Sequence, residues 1–159
     1  MNIISHDKVE DCLKVNRIVR FGDTDAAGVM HFQRLIGWCH EAYEESLERF
    51  GIPSKLIFPT SIRSSLINVG LDAYPTILLP IIHCSADYIM PVVCGDSLLI
   101  NLTPKALDLE SFEIKYTFDC KNLHVAYGRT RHLAIRSSDR QRCLLPELIN
   151  DWLKISNSK

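Results

Sequence analysis

The 159-residue sequence predicts an α+β domain in which one long helix lies against an antiparallel sheet. Three observations carry this. Residues 30–50 hold apolar side chains at helical spacing, and residues 97–120 alternate apolar and polar side chains over two segments. Lys121-Asn122 then interrupts the alternation as a tight hairpin link.

Taken in order, Leu13, Val15, Val19 and Phe21 share one face of a first strand, interrupted by Arg17. The helix runs from near Met30 to Phe50, about twenty residues. Leu35, Ile36, Cys39, Ala42, Tyr43, Ser46, Leu47 and Phe50 form its buried stripe, with Glu41, Glu44, Glu45 and Glu48 opposite. Gly51 supplies a left-handed cap, Ile52 its hydrophobic contact, and Pro53 blocks continuation. Ile52 to Pro75 reads as short helical turns. Ile82, Cys84, Ala86, Tyr88 and Met90 mark a strand whose other face carries His83, Ser85 and Asp87. Leu98, Ile100 and Leu102 mark the next. Phe112, Ile114, Tyr116, Phe118 and Cys120 alternate with Glu113, Lys115, Thr117 and Asp119 in a half-buried strand. A last strand runs from Leu123 to Arg136, and Pro146 opens a short helix through Leu153. So long a helix in a small domain requires the sheet to wrap around it.

No repeat, low-complexity tract or linker divides the chain, so residues 1–159 read as a single domain. A 47% hydrophobic and 23% charged composition excludes a disordered chain. The net charge of −1, with both signs interspersed, argues against nucleic-acid or polybasic membrane binding. The longest apolar run, Ile77 to Ile82, contains a proline and is too short for membrane insertion. The start, MNIISHDKVEDCLK, shows no apolar signal-peptide core. None of the six cysteines forms a CxxC pair, and no His or Cys spacing suits a metal. These features predict a cytoplasmic protein with reduced thiols, no metal and no cofactor.

The segment RFGDTDAAGVMHF, Arg20 to Phe32, stands just ahead of the long helix. A helix N-terminus gathers unpaired N–H groups and the positive end of the macrodipole, which suits a developing oxyanion. A carboxylate there can act as nucleophile or as general base for water. Gly28 permits close approach of backbone and ligand. The residues alone leave a second reading open, in which Asp23 or Asp25 caps the helix or closes an Asx turn.

The stretch RFGDTDAAGVMHFQRLIGWCHEAYEE resembles the leading motif of hotdog-fold acyl-CoA thioesterases of the 4-hydroxybenzoyl-CoA type, with its Asp-x-Asp-x-x-Gly before the central helix. The later block HCSADYIMPVVCGDSLLINL resembles the same family's strand, proline and Gly-Asp turn, here Pro91 and Gly95-Asp96. The resemblance covers roughly Val15 to Pro146. WCHEAYE and LLPIIHCSADY point within it to the 1,4-dihydroxy-2-naphthoyl-CoA hydrolases of phylloquinone biosynthesis. It implies a hotdog fold, one long central helix wrapped by a curved antiparallel sheet, acting on an acyl-CoA substrate as a homodimer or homotetramer. It places the catalytic carboxylate on Asp25, the carbonyl-polarising N–H on Phe32, and a structural acid on Asp23. This chain departs from the pattern in carrying His31-Phe32 where a Tyr is common. It also has Glu110 where hydroxybenzoyl-specific relatives have Lys before Ser-Phe.

His31, read as one turn into the helix, joins Gly28 and Phe32 as a substrate-binding candidate, and the resemblance adds His83 as pocket-lining. Phe32, Trp38 and the apolar stripe suggest a large flat acyl group near the helix start. Glu41 reads as a solvated or intersubunit carboxylate. Lys105, Arg129, Arg131 and Arg136 are candidates for coenzyme-A phosphates, or simply solvated cations. A hotdog hydratase pairing an Asp with a His, and a non-catalytic acyl-CoA binder, are the alternatives. No G-x-S-x-G points to a hydrolase of another fold.

Overall fold

A computed structural model describes residues 12–59 and 75–157. The first strand, β1 (Lys14–Ile18), is followed by the long helix α1 (Phe32–Phe50), and then by β2 (Ile77–Leu78) and β3 (Ile81–Tyr88). Next come β4 (Ser97–Ala106), β5 (Ser111–Cys120), β6 (Leu123–Leu133), β7 (Ile135–Arg136) and the short helix α2 (Glu147–Lys154). Five strands form one antiparallel sheet in the order β1-β4-β5-β6-β3, and β2 pairs with β7 apart from it. This is the hotdog arrangement, a sheet folded around one helix.

The helix sits where its stripe dictates. Leu35, Cys39, Ala42, Tyr43, Ser46 and Leu47 are buried against Ile100, Ile114, Tyr116 and Phe118 of the sheet. Fully burying Leu35 and Leu47 contributes roughly 1.5–3 kcal/mol apiece. Gly51 adopts φ 104°, and its N–H and that of Ile52 close on the last carbonyls of α1, as the Gly-Ile-Pro pattern predicts. At the other end of the core α2 places Trp152 against Tyr43 and Phe112, its indole N–H donating to Ser46 Oγ at 3.0 Å.

Several sequence expectations change. Phe21 leaves the first strand for a 3-10 turn and is 84% exposed. The helix starts at Phe32, because His31 is extended and caps it. Trp38 is 3% exposed and belongs to the core, so it does not line an acyl site. The strand expected from Leu123 to Arg136 breaks at Ala134: β6 stays in the main sheet while β7 turns to β2. Within Ile52 to Pro75, a 3-10 turn spans Ser54–Leu56, and residues 60–74 lie outside the described residues.

Among the described residues β3 is an edge strand, paired with β6 on one side. Ile82, Ile89 and Met90, on it and just beyond it, are exposed.

Candidate active site

Between the 3-10 turn and α1, residues 24–30 form a small loop closed by a Thr24–Met30 bridge. Asp25 N–H donates to Val29 O at 2.9 Å, and Gly28 N–H donates to Asp25 O at 3.0 Å. Gly28 sits at φ 77°, which a side chain rarely tolerates. Asp25 Oδ1 accepts the Ala27 N–H at 2.8 Å, an Asx turn that orients the exposed carboxylate. The Asx-turn reading and the catalytic reading thus describe the same side chain.

Asp23 does different work. It is buried, and its carboxylate accepts Arg20 N–H at 2.8 Å and Arg34 Nε at 2.7 Å. Burial pushes its pKa up, but the Arg20 N–H and the Arg34 guanidinium outweigh that and hold it below the ordinary value. Its carbonyl also accepts the His31 N–H at 2.8 Å. Asp23 therefore ties the loop to the start of α1.

His31 corrects the expectation that it lies one turn into the helix. It is the cap itself, with Nδ1 accepting the Gln33 N–H at 3.1 Å and its ring 4.5 Å from Phe32. The Phe32 ring is 63% exposed, and its N–H, the first of α1, takes no acceptor among the described residues. A carbonyl oxygen approaching this helix end meets that donor and the positive end of the helix.

Beside the loop an open cavity of about 320 Å³ lies between Val29 and Met30 on one side and residues 88–92 on the other. Its frame is backbone: Met30 N–H donates to Val92 O at 2.7 Å, and Val29 bridges to Val93. Tyr88 belongs here, its hydroxyl donating to Met30 O at 2.8 Å. Burial, and then the nearby Asp25 charge, push the Tyr88 phenol up to about 12. The sequence places Tyr88 on the apolar face of its strand and does not mark it as a candidate site residue. The available signal was a hydroxyl on an otherwise apolar strand face.

The remaining candidates divide. His83 lies on the outer face of β3, five residues before Tyr88 and so about 17 Å along the strand, and is not brought to Asp25 within one chain. Glu41 faces Arg17 at 3.8 Å. Lys105, Arg129 and Arg131 meet on the outer sheet face around buried Glu113, where Arg131 Nε lies 2.7 Å and Arg129 Nε 3.7 Å from its carboxylate. Burial raises the Glu113 pKa, but the Arg131 hydrogen bond and the surrounding cations bring it below the ordinary value. Arg136 lies elsewhere, paired with Asp139 at 2.9 Å. Among the described residues no three His, Cys, Asp or Glu side chains gather as a metal site, and no helix is long and apolar enough to cross a membrane.

A carboxylate-bearing turn, an open helix N-terminus and an apolar cavity on a hotdog scaffold define a thioesterase-type protein. A profile of the Thioesterase-like superfamily matches residues 19–153, and the chain belongs to that family. It is 51% identical over 138 residues to a 1,4-dihydroxy-2-naphthoyl-CoA hydrolase of Synechococcus sp. (strain RCC307), covering 87% of this chain and 98% of that one. It is 48% identical over 144 residues to the protein of the same name from Synechococcus sp. (strain WH7803), covering 91% and 90%. Among solved structures, a 1,4-dihydroxy-2-naphthoyl-CoA thioesterase from Synechocystis superposes with a TM-score of 0.72 at 30% identity, over 89% of this chain and 94% of that one.

Proposed function

We propose that this protein is a thioester hydrolase that cleaves 1,4-dihydroxy-2-naphthoyl-CoA to 1,4-dihydroxy-2-naphthoate and coenzyme A in phylloquinone biosynthesis. One observation supports the chemistry: the Asp25 turn, the Val29 and Met30 wall of the apolar cavity, and the Phe32 N–H, which has no acceptor among the described residues, follow one another within eight residues at the start of α1. The acyl group occupies the cavity, and the thioester carbonyl points at the Phe32 N–H. Asp25 then either attacks the carbonyl carbon, with water cleaving the resulting anhydride, or takes a proton from the water that attacks. Both routes consume one water and release the thiol. Oxygen-18 retained on Asp25 after a single turnover in labelled water marks the anhydride route.

The cations beside Glu113 are candidates for the coenzyme-A phosphates. The edge of β3, which pairs with no further strand among the described residues and leaves Ile82, Ile89 and Met90 exposed, supports a homodimer joined along that strand, and a tetramer of two dimers. The cysteine pattern supports a cytoplasmic location.

Thiol release from purified protein tests the substrate. The expected kcat/KM for 1,4-dihydroxy-2-naphthoyl-CoA exceeds that for benzoyl and straight-chain thioesters by at least ~10-fold, since about 1.4 kcal/mol of extra apolar contact suffices. Equal or better turnover of a fatty acyl-CoA overturns the naphthoyl assignment.

A further inference from the structure

A side chain from β3 reaches the junction between the Asp25 loop and α1. Tyr88 ends β3 and reaches across 58 residues of sequence to donate its hydroxyl to the Met30 carbonyl at 2.8 Å. Met30 is the last residue of the loop closed by its bridge to Thr24, and His31 and Phe32 follow at once. On its other side Met30 is fixed through its N–H to Val92 O, and the next amide, His31 N–H, is fixed to Asp23 O. The Met30 carbonyl and the His31 N–H share one rigid peptide plane, pinned at one edge by Asp23 O and at the other by the Tyr88 hydroxyl. Without the Tyr88 bond that plane is held at one edge and can tilt about it. The next peptide carries the Phe32 N–H.

We propose that Tyr88 is a positioning residue for thioester hydrolysis, its hydroxyl latching the Met30 carbonyl and so setting the Phe32 N–H against the Asp25 carboxylate. This rests on the reading of Asp25 and Phe32 given above. The Tyr88 ring is 39% exposed and walls the cavity, so ring and hydroxyl have separable tasks. Its phenol, held near 12, remains a hydrogen-bond donor throughout the working pH range.

Three substitutions separate those tasks. Tyr88→Phe keeps the wall and removes the donor: kcat falls about tenfold or more, KM stays within about threefold, and the Met30 and His31 amides exchange with solvent about tenfold faster. Tyr88→Ala removes both, so KM rises as well. Replacement of Tyr88 by 3-fluorotyrosine, whose phenol is more acidic, keeps kcat near neutral pH and adds an alkaline loss of activity that the natural protein lacks. If the hydroxyl serves stability alone, the alkaline step appears in unfolding and not in the kcat of the folded protein, and the proposal falls. A Tyr88→Phe protein with natural kcat, or with unchanged exchange at Met30 and His31, overturns the proposal. Should the natural protein turn over no acyl-CoA, the hydrolase reading falls, while the exchange rates still decide whether the latch exists.

Discussion

Acid should loosen this fold through one imidazole. His132 has no solvent exposure and stacks on Phe112 with 4.6 Å between ring centroids and 2° between planes. Nδ1 lies 3.4 Å from Leu79 O, Nε2 lies 3.0 Å from Thr130 Oγ, and that hydroxyl lies 3.1 Å from the Tyr116 hydroxyl. The chain is complete when Tyr116 donates to Thr130, Thr130 donates to Nε2, and Nδ1–H donates to Leu79. A second ring proton has no acceptor unless Thr130 gives up its own bond. Burial therefore lowers the His132 pKa from 6.5 to about 4, opposed by the Leu79 carbonyl and helped by His40. The unfolded chain takes up the proton near 6.5 and the native chain only near 4, so stability falls as pH drops through that window and the loss levels off below it. At about 1.4 kcal/mol per pH unit the full loss is about 3 kcal/mol, of which about 2 kcal/mol is reached at pH 5. Urea unfolding of the natural protein and of His132→Gln, at pH 7.5 and pH 5, isolates the effect, because titrating carboxylates are common to both. The difference in stability between the two proteins should shift by about 2 kcal/mol, to the detriment of the natural protein at pH 5. A difference that stays constant with pH refutes the argument.

Asp25→Asn should lower kcat at least ~10²-fold with little change in folding, on the scale of general-base catalysis. Asp23→Asn should instead cost roughly 1–3 kcal/mol of stability, because Arg20 N–H and Arg34 lose their carboxylate; the reverse pattern would exchange the two roles. At Gly128 an added Cβ would collide with Cys39 Sγ, so Gly128→Ala should destabilise by about 1–3 kcal/mol and adding Cys39→Ala should recover most of it. Additive losses in denaturant titrations would show that the two sites do not touch. Light scattering at micromolar concentration should give a dimer or larger, and a fully active monomer would remove the β3-edge pairing.

Local patterns made α1 and β5 legible. The stripe from Leu35 to Leu47 has one period, and Gly51-Ile52-Pro53 ends it by stereochemistry alone. Lys121 and Asn122 adopt φ 49° and 64°, the left-handed pair a two-residue hairpin needs. Illegible features depend on partners remote in sequence. The break at Ala134 follows from β7 meeting β2, and the edge position of β3 follows from strand order. The site divides in the same way. Asp25, Gly28 and Phe32 lie within eight residues and are candidates from one motif, whereas Tyr88 meets Met30 only after the sheet has formed. Trp38 was misplaced because a helical residue near a site and one facing the core share the same spacing.

The frame of the cavity is made of main-chain atoms: Met30 N–H to Val92 O, Val29 against Val93, Asp25 N–H to Val29 O. The side chains of Val29, Ile89 and Met90, which line the cavity, contribute nothing to those bonds. Their size and polarity are thus free to vary while the carboxylate turn keeps its place. A scaffold wired in this way can change the acid it releases by exchanging a few apolar residues, leaving the hydrolytic groups untouched.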